Sequence, residues 1–229
     1  MINLQRFIKR FLLCFSFVCI YYSIHLSQNT GEKISQAVYG LSEGLSQSQV
    51  NTILQDSLGF IWVGTQDGLN RYNGYDFQVF KNEIEDPLTL NGNYIYDLVY
   101  ENEKLWVATD NGLNYLNVYD MSVGQKLYDP LDDASILGNN TRVLFLDQAG
   151  KMWIGFNKGQ ISIYNIKKDV FTNVKNLPVS SEIKCINQDY FGNLWIGTEL
   201  DGIIILDKTG ELLDHIQTRS IVNCIEISP

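Results

Sequence analysis

Four tryptophans recur along the chain at near-constant spacing, and no other feature restricts the possible folds as much. Trp62, Trp106, Trp153 and Trp195 lie 44, 47 and 42 residues apart. Each sits in the same kind of segment. "FIWVGTQDGLNRYNG" begins at Phe60, "LWVATDNGLNYLN" at Leu105, "MWIGFNKGQISIYN" at Met152 and "LWIGTELDGIIILD" at Leu194. The similarity extends upstream. "VNTILQDSLGFIW" from Val50 matches "IKCINQDYFGNLW" from Ile183 position for position, and "TRVLFLDQAGKMW" from Thr141 keeps the Asp and Gly. "IYDLVYENEKLW" from Ile95 is one residue shorter, and the loss falls in the turn. A period of about 40–50 residues with several short strands per unit points to propeller blades.

One unit reads as four strands. "VNTILQ" is followed by the turn "DSLG", which places Asp at the start and Gly where a positive φ is needed. "FIWVGT" and "LNRY" flank an Asp-Gly hairpin turn, and "YDFQVFK" follows Asn73-Gly74. The strands are short and rich in Val, Ile, Phe, Tyr and Trp. Such a unit, repeated radially, predicts an all-β protein: a β-propeller of four-stranded antiparallel blades over residues 50–81, 94–128, 141–174 and 183–216. The tryptophans are expected to pack between blades, with Gly64, Gly155 and Gly197 leaving room on the same face. Asp56, Asp147 and Asp189 read as turn residues. Tyr72, Tyr115 and Tyr164 read as blade-packing residues.

Both ends of the repeat region suggest a partial propeller spanning residues 34–229. Residues 34–39 look like a lone strand of the kind that completes the last blade of a closed ring. Residues 222–227 repeat residues 183–188 and read as the first strand of a fifth blade. A ring of six to eight blades at this period needs roughly 260–360 residues, so the expectation is about four blades and the start of another.

At the N-terminus, Arg6, Lys9 and Arg10 precede the apolar run "FLLCFSFVCIYYSIHL". Residues 1–27 therefore read as a signal peptide or an uncleaved membrane anchor, and the remainder as exported to the periplasm or cell envelope. The net charge of −9 becomes about −12 once those three cations are set aside, with no basic stretch to offset it. A nucleic-acid partner is disfavoured. The two histidines, His25 and His215, share no metal-ligand spacing with Cys or acids, so neither a metal nor a cofactor is expected. Cys185 and Cys224 occupy the same place in successive units and read as small residues on neighbouring strands, with their disulfide state left open.

The repeated "D-x-x-G-x-[ILM]-W-[VI]-G-T…G-[LI]" pattern resembles the two-component regulator propeller repeat. "LSEGLSQSQVNTILQDSLGFIWVGTQDGLNRYNGYDFQVF" is particularly similar to the start of the sensor region of bacterial hybrid two-component regulators. The resemblance runs from Ile34 to the C-terminus. It implies a periplasmic sensor propeller, often one of two in tandem. A β-sandwich, a membrane helix, a histidine kinase and DNA-binding modules commonly follow. In many such proteins the ligand is an oligosaccharide. A homodimer is expected of the full-length receptor, with membrane attachment through the leader or through later sequence.

No Ser-His-Asp, Cys-His or paired-histidine pattern occurs, so the chain is not expected to be an enzyme. The loops between second and third strands, and those between blades, should share one face of the propeller. Asp67, Tyr94, Asp110, Asn111, Asn157 and Asp201 are the candidate ligand contacts there: amides and acids for sugar hydroxyls, and a tyrosine to stack. The fullest reading is an exported sensor of a glycan-derived ligand. The alternative is a structural or protein-interaction propeller without a small ligand.

Overall fold

The computed structural model describes residues 37–227. The leader, residues 1–27, and residues 34–36 of the expected closing strand lie outside them. Four antiparallel sheets follow one another, each in simple sequential order. The first holds β1 (Val50–Gln55), β2 (Ile61–Thr65), β3 (Gly68–Tyr72) and β4 (Phe77–Phe80); the second β5 (Ile95–Glu101), β6 (Lys104–Thr109), β7 (Gly112–Asn117) and β8 (Val123–Lys126). The third holds β9 (Thr141–Leu146), β10 (Lys151–Phe156), β11 (Ile161–Asn165) and β12 (Val170–Asn173). The fourth holds β13 (Ile183–Gln188), β14 (Leu194–Thr198), β15 (Ile203–Leu206) and β16 (Leu212–Ile216). The first strands β1, β5, β9 and β13 are successive neighbours. They form the inner side of a propeller arc. Among the described residues no helix is long and apolar enough to cross a membrane.

Trp62, Trp106 and Trp153 each form the seam between their blade and the next. Trp62 and Leu69 share one apolar cluster with Leu98, Leu105 and Val107 of the second blade. Trp106 clusters with Leu144 and Met152, and Trp153 with Ile186 and Leu194. Trp62, Trp106 and Trp153 are fully buried, whereas Trp195, in the last of the four blades, is only half-buried. The opposite end of the arc shows the matching gap. Ile53 is 65% exposed, while its counterparts Leu98, Leu144 and Ile186 are 5%, 5% and 7% exposed against a preceding tryptophan's blade.

The glycine two residues after the tryptophan has a defined reason. A Cβ on Gly64 would come within 2.6 Å of Ile95, and one on Gly155 within 2.6 Å of Ile183, the first residues of the next inner strands. The second blade has Ala108 at this place, and there the next inner strand begins with the smaller Thr141. Side-chain volume is exchanged across the seam, as close packing requires. The threonine after the glycine closes the hairpin. The Oγ1 atoms of Thr65, Thr109 and Thr198 donate to the carbonyls of Gly68, Gly112 and Gly202 at 2.9 Å each.

The turn aspartates do more than shape turns. Asp56 accepts backbone N–H bonds from Leu58 and Phe60 on one carboxylate oxygen, and the Trp62 indole N–H at 2.7 Å on the other. Asp147 holds Trp153 at 2.9 Å and Asp189 holds Trp195 at 3.1 Å in the same way. Burial raises the pKa of Asp189, but the Asn193 amide, the Trp195 indole and two backbone N–H groups outweigh it and leave the carboxyl below its ordinary value. The second blade is the exception. Its shortened turn is a tight hairpin with Asn102 at φ 50° and Glu103 at φ 66°. Positive φ at both central residues is the geometry that a two-residue hairpin demands. Glu101 stands where the other blades have the aspartate and is paired with Lys104 in the ladder, and the buried Trp106 Nε1 has no acceptor.

Residues 37–39 form no strand, and neither do residues 222–227, so the expected first strand of a fifth blade is not formed. The latter segment nonetheless docks beside the fourth blade. Val222 N–H donates to the Thr198 carbonyl at 3.1 Å, and the Asn187 side chain donates to the Ile225 carbonyl at 2.9 Å. Val222 lies against Gly197 as Ile183 lies against Gly155. A strand assignment needs a hydrogen-bonded ladder, and among the described residues no second strand follows to build one. Cys185, partly buried, and Cys224, exposed, are both free thiols.

Candidate functional site

Every inner strand carries the same irregularity. In β1, Val50 pairs with Thr65 and Thr52 with Gly64, leaving Asn51 between them without a partner. Tyr96 is skipped in the same way between Ile95 and Asp97, Arg142 between Thr141 and Val143, and Lys184 between Ile183 and Cys185. These are β-bulges, which insert one unpaired residue and re-aim its side chain. Here four bulges at one level of four neighbouring strands aim four side chains into one space. Asn51, Tyr96, Arg142 and Lys184 line a single cavity of ≈ 430 Å³, together with Tyr94 and Glu182. That volume lies within the range of small-molecule clefts.

The chemistry in this axial cleft is organised. The Tyr94 and Tyr96 rings stack with centroids 4.3 Å apart. The Arg142 guanidinium lies over the Tyr96 ring, 3.8 Å from its centroid, as cation–π attraction favours. Glu182 faces both cations, 3.2 Å from Arg142 Nε and 2.8 Å from Lys184 Nζ. The Arg142 Nε is buried, and its contact with Glu182 lacks hydrogen-bond geometry. Burial pushes the Tyr96 phenol up, the nearby Arg142 pulls it partly back, and the net shift is upward, so the hydroxyl stays protonated and able to donate. Tyr94 is fixed by the Gln66 amide, which donates to its hydroxyl at 3.0 Å.

Asp97, next to the second bulge, ties two inner strands together. Its carboxylate accepts the backbone N–H of Leu98 at 2.8 Å and, across the seam, that of Leu144 at 2.9 Å. Burial pushes its pKa up to about 6, against the downward pull of those two N–H groups and of the Thr52 side chain. A carboxyl whose folded pKa lies above the unfolded value of about 3.9 binds more protons folded than unfolded between those two values. Its contribution to stability therefore falls as pH rises through that window, the reverse of an ion-paired aspartate. The side-chain carboxyl carbon of Asp97 should titrate with a midpoint near 6 by NMR; a midpoint at the ordinary aspartate value would show that the group is solvated.

Of the six residues expected to contact ligand, Tyr94 alone lines the cleft. Asp110 accepts the Tyr94 backbone N–H at 3.3 Å, and Asn111 donates to the Asn91 carbonyl at 3.0 Å. Asp67 is ion-paired with Lys81 at 2.6 Å. Asp201 accepts the N–H groups of Ser180 and Ser181 and the Ser181 hydroxyl. Burial raises its pKa, but these bonds and His215 prevail and lower it. Asn157 stands half-buried in the β10–β11 hairpin. These hairpin loops share a face with the inter-blade loops, and their polar groups tie the two sets together. The bulge residues were not among the candidates, although their positions vary in chemistry where the residue before them is always Val, Ile or Thr. Among the described residues no group of three or more His, Cys, Asp or Glu is placed to hold a metal ion.

Comparison with known proteins bears on this architecture at two levels. A family model described as "Two component regulator propeller" matches residues 44–67 and 177–199, the first two strands of the first and fourth blades with their lead-in segments. Two segments of the chain are thus similar to that repeat. A histidine kinase, P4, of Formosa agariphila is 47% identical over 49 residues, which are 21% of this chain and 4% of that protein. The chain thus corresponds to a small part of that relative's length. Among solved structures, one described as the extracellular domain of a hybrid two component system from B. thetaiotaomicron is 20% identical. Its TM-score is 0.63, covering 78% of this chain and 25% of that one. A catalytically inactive variant of virginiamycin B lyase from Staphylococcus aureus is 15% identical at a TM-score of 0.62, covering 85% of this chain and 62% of that one. At these identities the likeness establishes the propeller fold. That fold serves a lyase as readily as a sensor, so function must be argued from the site.

Proposed function

We propose that this chain is the ligand-sensing part of a two-component system sensor, exported to the cell envelope, and that it recognises a glycan-derived ligand in the axial cleft. The observation that carries the reading is the convergence of the four bulge residues Asn51, Tyr96, Arg142 and Lys184 on one cavity beside the Tyr94–Tyr96 stack. Sugars are recognised by flat aromatic surfaces for their C–H faces and by fixed polar groups for their hydroxyls, and the cleft offers both. The regulator-propeller repeats and the histidine kinase relative support the signalling role. Extracellular domains among the fold relatives support export. The hairpin loops with Asp67, Asp110, Asn111, Asn157 and Asp201 then form a rim, within which Asp110 and Gln66 fix Tyr94. Occupancy of the cleft would favour one of two receptor arrangements, most simply in a homodimer, and pass the signal to a kinase module.

A thermal-shift screen of the full chain against plant and algal oligosaccharides tests the reading. At least one oligosaccharide should raise the melting temperature by several degrees at saturating concentration. Tyr96→Ala should abolish that rise. A panel in which no oligosaccharide stabilises the protein would contradict it.

A further inference from the structure

We propose that the cleft selects a saccharide bearing an anionic group, a carboxylate or a sulfate, over its neutral counterpart. This rests on the glycan reading and narrows it to one ligand class. Three observations carry it. First, the strands aim two cations, Arg142 and Lys184, into the same cavity, and both come from bulges. A residue added by a bulge contributes nothing to the ladder, so its identity is free to follow the ligand. Second, one carboxylate, Glu182, faces the two cations. Among the residues that line the cavity itself two cations thus face one carboxylate, and Asp110, which accepts the Tyr94 backbone N–H, stands behind that lining. Third, Arg142 is underused. It lies over Tyr96, and its buried Nε lacks a hydrogen-bond acceptor. A guanidinium held by ring stacking with free donors is arranged to meet a planar or tetrahedral oxyanion.

The aromatic pair sets where the sugar ring goes. Arg142, Tyr96 and Tyr94 form one continuous stack. Both faces of Tyr96 are covered in that stack, so a pyranose in the cleft would meet its edge, where a ring substituent comes beside Arg142 and Lys184. Lys184, 2.8 Å from Glu182, completes the anion's surroundings. Glu182 has the opposite effect. It is hydrogen-bonded to Lys184 and stands beside Arg142 without bonding it, so the ligand's anion must share the two cations with it.

The test uses the full chain and three disaccharide probes, galactobiose, digalacturonate and a monosulfated galactobiose, measured by isothermal titration calorimetry. At least one acidic probe should bind about tenfold or more tightly than galactobiose, and added salt should weaken that probe alone. The two acidic arms separate carboxylate from sulfate. Arg142→Gln should remove the acidic preference. Lys184→Gln, at a half-buried position outside the ladder, should reduce it severalfold and serves if Arg142→Gln does not fold. Glu182→Gln should tighten the acidic probe, a gain that a purely structural ion pair would not give. Equal affinity for all three probes, or an acidic preference that survives in both cation variants, would overturn the proposal. In that event galactobiose binding that disappears in Tyr96→Ala would leave the glycan reading standing. Failure of all three probes to bind the native chain would count against both.

Discussion

Trp153→Ala is expected to cost about 3–5 kcal/mol of folding stability, the range for a fully buried aromatic. Trp195→Ala should cost less than half as much. Trp153 is fully buried against the fourth blade, with its indole N–H on Asp147 at 2.9 Å. Trp195 has the same acceptor type but is only half-buried. The second blade adds a sharper test. Trp106 is as buried as Trp153, yet its Nε1 has no acceptor. Trp153→Phe strips a hydrogen bond from the buried Asp147 carboxylate, whereas Trp106→Phe removes an unpaired donor. The first change should therefore exceed the second by about 1–2 kcal/mol. Urea unfolding of the variants measures this directly. Equal costs for the two Phe variants would show that the Asp–Trp bond contributes nothing net.

The second large effect lies across the seam. Gly155→Ala should destabilise by about 1–3 kcal/mol, because the new methyl meets Ile183 at 2.6 Å in a packed interior. Pairing it with Ile183→Thr should recover part of the loss, since this rebuilds the Ala108–Thr141 combination that the second and third blades already use. A double-mutant cycle should give a favourable coupling of at least about 1 kcal/mol. Strict additivity would mean that the two positions do not share volume, and the Gly–Ile and Ala–Thr exchange would be coincidental.

Most of this architecture is legible in the chain itself. The tryptophan period, the Asp-Gly and Asn-Gly turns and the short β-branched strands each point to four-stranded blades, and the structure has four four-stranded antiparallel sheets. The packing role of the tryptophans was also readable from their recurrence. What was not readable depends on partners distant in sequence or on pairing irregularities. An aspartate opening a turn is fully explained by local backbone chemistry, so its second oxygen, aimed at an indole six residues on, leaves no separate trace. The unpaired Trp106 follows from a one-residue deletion whose consequence is visible only once the turn geometry is known.

The bulges are the larger omission. A strand read with period two places Asn51, Tyr96, Arg142 and Lys184 in regular ladders and gives them no common direction. The extra unpaired residue in each inner strand brings all four to one cavity. Attention to loops was sound in general, since loops so often bind. Here the hairpin loops spend polar groups on the inter-blade segments, as Asp67 does on Lys81 and Asp201 on Ser180 and Ser181. Residues 222–227 repeat an inner strand in sequence, but a sequence match cannot supply the neighbouring strand that turns a docked segment into a ladder.

Chemical-shift mapping by NMR, with digalacturonate titrated into the isotopically labelled chain, tests the central claim most directly. The account predicts that the saturating shifts concentrate on Asn51, Tyr94, Tyr96, Arg142, Glu182 and Lys184, with Asp67, Asn157 and Asp201 little changed. Shifts confined to the hairpin loops, with the bulge residues unmoved, would contradict it and return the binding surface to the loops.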